Sequence, residues 1–315
     1  MKKIFIDGSA GTTGLRIRDR LAGRADVSLV TLPEELRKDH AARAEALNAA
    51  DVAFLCLPDA AAVEAVALLD PANDRTVVID TSTAHRTAPG WDYGFPELPG
   101  AREKIARSRR IANPGCHASG FVALVAPLLR AGLVAPGTPL SCFSLTGYTG
   151  GGKKMIAQYE GDAAARDPLL GAPRQYGLSQ AHKHLPEMVA MTGIGAAPAF
   201  CPVVADFPCG MEVTVPLFAR DVGGASPEAV AAVYRAAYPE TSLVRFRDAA
   251  DESGFLSASA FAGRDDMEIS LHGNAERMVA VARFDNLGKG ASGAAIQNMN
   301  VALGLPETTG LELGA

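Results

Sequence analysis

A surplus of basic charge, a cysteine pairing pattern and a long apolar run are all missing from this chain. Its 30 Lys and Arg are outnumbered by 35 Asp and Glu, for a net charge of −5, so the composition does not suit a nucleic-acid partner. The short basic cluster Arg107-Ser108-Arg109-Arg110 reads as the end of a helix begun near Ala101, where cations complement the helix dipole. No stretch approaches the roughly 20 apolar residues that cross a bilayer. The first apolar residues run into a glycine turn at Gly8, too soon for a secretory signal. The five cysteines (Cys56, Cys116, Cys142, Cys201 and Cys209) are odd in number and show no CxxC spacing. That pattern supports neither a disulfide framework nor a zinc site, so no metal is expected and a reducing cytoplasm is.

What is present is enough apolar material for a large core. The 315 residues are 48% hydrophobic and 21% charged, which suits a globular chain of two domains or one large one. The first part alternates strand and helix patterns: strands at 2–7, 27–32, 52–57 and 76–80, helices at 14–22, 41–49 and 60–69. Such alternation predicts a doubly wound, mostly parallel Rossmann-type sheet. Beyond Cys116 the apolar run Phe121 to Leu129 reads as a buried helix closed by Gly132. Longer strands follow at 211–218, 267–272 and 277–284, the last two joined by the hairpin signal Gly273-Asn274. This half reads as an α+β domain with a largely antiparallel sheet. The 290–303 segment returns to helical spacing.

Asn113-Pro114-Gly115-Cys116 sets one cysteine on a tight turn at a helix start. There the helix dipole favours the thiolate, but only by about 0.3–1 kcal/mol, so a nucleophile also needs a base. His182-Lys183-His184 with Glu187 is the outstanding supply, and His182 is slightly favoured. His117 is a rival whose backbone position aims it elsewhere. Gly8-Ser9-Ala10-Gly11-Thr12-Thr13-Gly14 follows the first strand and opens a helix, the place of a dinucleotide turn. After the second strand, Arg37 and Lys38 suit a 2′-phosphate, while Glu34 and Glu35 obscure the preference for NADP. Pro58 and the run Asp80 to Arg86, with Ser82, follow two more strands. Arg86 reads either as a fork for an anion or as a loop arginine. The segment from Gly147 to Lys154, with Gly150, reads as a flexible loop, either cradling phosphate or linking.

Taken together, these stretches resemble the N-acetyl-γ-glutamyl-phosphate reductase family in its shorter, type 2 form, within the aspartate-semialdehyde dehydrogenase-like superfamily. Tyr93-Gly94-Phe95-Pro96-Glu97-Leu98, Asp285-Asn286-Leu287-Gly288-Lys289-Gly290 and Gln297-Asn298-Met299-Asn300 complete the match, in the family's order over nearly the whole chain. The resemblance implies reduction of an acyl phosphate to an aldehyde by NADPH, through a Cys116 thioester, in arginine biosynthesis. It implies catalytic roles for Cys116, His182, His184 and Glu187, and substrate contacts from Arg86, Asn113, Gly147 and Gly150. Cofactor contacts would come from Gly8, Gly11, Thr12, Thr13, Gly14, Pro58, Ser82 and Asn286. Residues 1–116 plus 291–315 would form the NADP-binding domain, and 117–290 the catalytic and dimerisation domain. A cytoplasmic homo-oligomer, a dimer or tetramer, is expected, with a small-molecule acyl phosphate as substrate and neither nucleic acid nor membrane as partner. The alternatives are a reductase of aspartyl or aminoadipyl phosphate and a non-catalytic NADP-binding regulator. One departure stands out: His117-Ala118-Ser119 replaces the family's common Tyr-Pro-Thr.

Overall fold

A computed structural model describes residues 1–162 and 164–314 and divides the chain into two compact units. The first comprises residues 1–115 and 291–311, and the second residues 116–290 together with 312–314.

In the first unit the elements are β1 (Lys2–Asp7), α1 (Thr12–Ala22), β2 (Val27–Val30), α2 (His40–Ala49), β3 (Val52–Leu55), α3 (Asp59–Ala67), β4 (Val77–Asp80), β5 (Asp92–Tyr93), α4 (Ala101–Ile105) and β6 (Arg110–Ala112). The six strands are ordered β2-β1-β3-β4-β6-β5 and all pair in parallel. Strand periodicity sends alternate residues to opposite faces. Ile4 and Ile6 join Phe54 and Ile79 against α1 and the last helix, Gly293–Ala302. Phe5 joins Leu55 and Val78 against α2 and α3. With both faces covered, the strands must be apolar throughout, and each fully buried large side chain contributes about 1.5–3 kcal/mol.

Two expectations change here. The segment 101–110 is not one helix: α4 stops at Ile105, and Arg110 opens strand β6. The Ser108 hydroxyl donates to the Arg110 carbonyl and accepts that residue's N–H, a local turn that competes with helix. The 290–303 segment starts with a π-helical turn, Gly288–Ser292, before regular helix begins at Gly293.

The second unit contains α5 (Cys116–Arg130), β7 (Ser141–Gly147), α6 (Gly152–Glu160), β8 (Arg174–Gln175), α7 (Leu185–Thr192), β9 (Ala199–Ala205), β10 (Met211–Phe218), α8 (Pro227–Ala237), β11 (Val244–Phe246), β12 (Met267–Gly273) and β13 (Arg277–Phe284). Its seven-stranded sheet runs β11-β12-β13-β10-β7-β9-β8, antiparallel except for the pairs β11–β12 and β7–β9. Helices pack on one face. The other is half-exposed and carries Phe143, which is 51% exposed.

α5, apolar from Phe121 to Leu129, lies on this sheet, and a Cβ at Gly120 would come 2.5 Å from Val213. Inside the helix, Pro127 has no N–H for the Ala123 carbonyl. Tyr238 supplies the missing donor, its hydroxyl 2.7 Å from that oxygen. Tyr234 of α8 likewise donates to the Leu124 carbonyl at 2.8 Å.

Candidate active site

Register in the first unit aligns Asp7, Leu55, Asp80 and Ala112, the last residues of β1, β3, β4 and β6. Ligands of such sheets bind beyond these ends. Gly8 turns there with φ +86°, and a Cβ on it would come 2.2 Å from the Cys56 carbonyl oxygen. A Cβ on Gly14 would come 2.6 Å from the Gly8 carbonyl oxygen. Gly11 N–H donates to that same oxygen at 3.0 Å. Gly11 also caps α1 without a side-chain acceptor, so the first-turn amides, at Thr12 and Thr13, suit an anion.

Beside this turn lies a cavity of about 660 Å³, lined by Gly8, Ser9, Arg37, Lys38, Arg43 and Glu64 among others. Its size suits part of a dinucleotide, and the two cations suit a 2′-phosphate. Asp7 and Arg43 form a buried ion pair at 3.0 Å. Burial pushes the Asp7 carboxyl up, and the hydrogen bond and charge of Arg43 oppose that.

The other strand-end residues are largely engaged within this unit. Pro58 caps α3. Ser82 Oγ donates to Asp80 Oδ2 at 2.7 Å, and His85 Nδ1 meets the same oxygen at 2.6 Å. Arg86 is buried and donates from Nε to the Asn113 carbonyl and from Nη2 to the Thr81 carbonyl. The Asn113 amide donates to the Ala291 carbonyl and accepts from Asn298. These contacts brace the turn that leads to Cys116.

The chemistry-bearing cluster is in the second unit. Cys116, half-buried, opens α5. Its Sγ and one ring nitrogen each of His117 and His184 all lie within 4.8 Å of one another. A Cβ at Gly290 would fall 2.9 Å from Cys116 Cβ, so only glycine lets that segment lie against the cysteine. His182 and His184 belong to neither a strand nor a helix interior: they sit in a turn, with His184 capping α7 and Glu187 buried in that helix's first turn. The His184 N–H donates to His182 Nδ1 at 3.2 Å, and the two rings meet edge to face at 4.7 Å.

His117 turns toward the site, contrary to the expectation that it aims elsewhere. Its Nδ1 lies 2.6 Å from Ser144 Oγ, and its Nε2 lies 2.6 Å from Tyr176 Oη. Burial, aided by the charges of His182 and Lys183, holds its pKa down to about 3. Cys, His and His at this spacing are also metal-ligand types, but both His117 nitrogens are already engaged by hydroxyls. Burial pushes Cys56 up to about 12, and Cys142 is raised for the same reason, so both remain inert thiols.

The segment after Gly147 is not a flexible loop. It forms a 3₁₀ turn, Tyr148–Gly151, running into α6. Gly147 packs tightly, a Cβ there falling 2.5 Å from the Pro208 carbonyl oxygen. Asn286 braces the turn: its Nδ2 donates to Thr149 Oγ1, and its Oδ1 accepts from the Gly210 N–H. Gly150 lies against the same amide.

Sequence reasoning missed Tyr176 and Ser144. Each reaches His117 through strand pairing across the sheet, and no local spacing signals that.

Residues 30–108 match the family described as "semialdehyde dehydrogenase, NAD binding domain", and residues 116–286 match its "dimerisation domain". The chain is 45% identical to N-acetyl-γ-glutamyl-phosphate reductase of Sinorhizobium fredii, over 96% of this chain and 98% of the relative. It is 47% identical to the enzyme of that name from Brucella ovis, with 96% and 99% covered. Among solved structures, aspartate semialdehyde dehydrogenase II from Vibrio cholerae superposes with TM-score 0.70 at 15% identity, over 96% of this chain and 98% of that one. Aspartate semialdehyde dehydrogenase with NADP from Candida albicans gives 0.66 at 13%, with 96% and 99% covered. At these identities the two structures speak for the fold.

Proposed function

We propose that this chain, which belongs to the N-acetyl-γ-glutamyl-phosphate reductase family, reduces N-acetyl-γ-glutamyl phosphate to N-acetylglutamate 5-semialdehyde and releases phosphate, a step of arginine biosynthesis. The observation that carries the mechanism is the placement of Cys116 Sγ within 4.8 Å of a ring nitrogen of His184.

His184 takes the thiol proton, and the thiolate attacks the acyl carbon. The carbon–oxygen bond to phosphate breaks, phosphate departs, and a thioester remains on Cys116. NADPH, when bound, supplies hydride to that thioester carbonyl. The resulting thiohemiacetal oxyanion collapses to the aldehyde and expels the thiolate, beside which the His184 imidazolium stands. His182 accepts the His184 backbone N–H through Nδ1, and so orients this turn. Glu187 supports the same helix start. Arg86 holds a fixed positive charge on the turn before Cys116, which suits an anionic substrate. Asn286 holds the 147–151 turn in shape.

For the coenzyme, the chain offers the amides at Thr12 and Thr13 and the cations Arg37 and Lys38. These suit NADP, its pyrophosphate at α1 and its 2′-phosphate beyond β2. The half-exposed sheet face around Phe143 suits a second copy of this chain, consistent with the dimerisation-domain match. No helix among the described residues is long and apolar enough to cross a membrane. Free thiols suit the reducing cytoplasm.

The decisive experiment runs the reaction backwards, supplying N-acetylglutamate 5-semialdehyde, phosphate and NADP and following NADPH. Turnover that requires phosphate and vanishes in Cys116→Ala is expected. Turnover only with aspartate semialdehyde would overturn the substrate assignment.

A further inference from the structure

Strand β8 follows β9 for only a short way. Arg174 and Gln175 pair with Val204 and Val203, and the Tyr176 N–H donates to the Pro202 carbonyl at 3.0 Å. Gly177, at φ +63°, then turns the chain off the sheet. Two residues further back along β9, Phe200 is fully buried, and both of its backbone groups need partners. β7 holds the opposite edge of β9, where the neighbouring Ala199 N–H donates to the Leu140 carbonyl. The N–H and carbonyl of Phe200 are met instead from the side that β8 has left.

Gln180 meets both. Its Nε2 donates to the Phe200 carbonyl at 2.7 Å, and its Oε1 accepts the Phe200 N–H at 2.8 Å. A primary amide offers the same donor and acceptor as a peptide, so one side chain takes the place of a missing strand residue. The backbone is bent to allow it. Gln180 has φ +56°, and among the described residues only Ser253 shares a positive φ without being glycine. Such strain persists where the surroundings hold it, and it gathers at functional segments.

What lies just beyond this tie is the acid–base turn. The His182 ring, two residues on, meets the Phe200 ring edge-on at 5.1 Å. His182 Nδ1 accepts the His184 N–H, and the His182 carbonyl accepts the Leu185 N–H at 3.0 Å. The Phe200 ring also meets that of His117, at 5.3 Å. We infer that Gln180 is a positioning residue for His184: by pinning the 177–184 segment to Phe200, it sets how the His184 ring stands to Cys116 Sγ. This rests on the reading of Cys116 as nucleophile and His184 as its base. Gln180 itself makes and breaks no covalent bond and moves no proton.

The test compares two variants by steady-state kinetics and by iodoacetamide alkylation of Cys116 at pH 7, read on its peptide. Gln180→Gly removes both hydrogen bonds and relieves the strained φ, whereas Gln180→Met removes both and keeps the strain. Each is expected to lower kcat about tenfold with KM nearly unchanged, although their melting temperatures differ. Alkylation should slow about tenfold in each, as for a thiol returned one pH unit toward its ordinary value. In the His184→Asn background, Gln180→Gly should cost no further activity, because it acts through that ring. Thermal melts establish folding, and Gln180→Gly carries the test alone if Gln180→Met does not fold. Unchanged kcat or unchanged alkylation in folded Gln180→Gly would overturn the proposal. So would a further loss on top of His184→Asn, or a kcat that follows the melting temperature across the two variants. Alkylation needs no acyl phosphate, so a wrong substrate assignment leaves that readout intact. Turnover retained in His184→Asn alone would instead sink the assignment of the base.

Discussion

Arg43 grips one oxygen of Asp7 from two sides: its Nε and Nη2 donate to Oδ2 at 3.1 and 3.0 Å. Both side chains are buried, and Asp7 immediately precedes the glycine turn. A buried carboxylate without its cation is costly, so Arg43→Met should destabilise the chain by about 3–5 kcal/mol at pH 7.

The pH dependence of that loss has a definite sign. Burial raises Asp7 above its unfolded value, so stability from this group is greatest below that value and falls as pH rises through the folded one. Removing Arg43 raises Asp7 further. The deficit of Arg43→Met, measured by urea unfolding, should therefore be largest at pH 7 and shrink toward pH 4. An equal deficit at both would show that Asp7 is not the group left uncompensated.

Gly8→Ala places a Cβ at φ +86°, 2.2 Å from the Cys56 carbonyl oxygen. The left-handed conformation alone costs about 1–2 kcal/mol, and the backbone must also shift at the turn proposed to hold the pyrophosphate. NADPH affinity should fall at least about tenfold, measured by nucleotide fluorescence. Gly23→Ala, with nothing within 4 Å, is the control and should stay within about 0.5 kcal/mol of the parent.

His184→Asn should lower kcat about 10²–10⁴-fold, the range for a lost general base, and Cys116→Ala should abolish turnover. His182→Asn should cost less, because its Nδ1 is engaged by a backbone N–H and it acts through the turn. Steady-state rates for the three variants decide the order; equal losses at His182 and His184 would contradict it.

Tyr238→Phe removes the donor that serves the Ala123 carbonyl. Pro127 cannot replace it, so about 1–3 kcal/mol should be lost. The companion change Pro127→Ala restores an N–H at that position, and the double variant should recover part of the loss in thermal melts.

Local features were legible from sequence wherever one residue type answers a local requirement. The Gly8 to Gly14 turn, the apolar α5 and the hairpin at Gly273-Asn274 are of this kind, and β10 and β13 have the expected limits. The run from Ala101 misled because the Ser108 hydroxyl pairs with the Arg110 backbone in a turn that competes with further helix. The choice between His182 and His184 was not legible, since the intervening backbone is a turn in which neither strand nor helix spacing applies. Tyr176 and Ser144 were invisible for a related reason. They stand 59 and 27 residues from His117, and only the pairing of β7, β8 and β9 brings them together.

The first unit's core draws Ala295, Ile296 and Met299 from the end of the chain. During synthesis, its parallel sheet therefore emerges early but waits for one of its covering helices, Gly293–Ala302, until the second unit has been made. The intervening unit is nearly complete by Gly290 and can fold meanwhile as a unit of its own. The order of completion thus reverses the order of translation: the sheet is begun first and has both of its faces covered last.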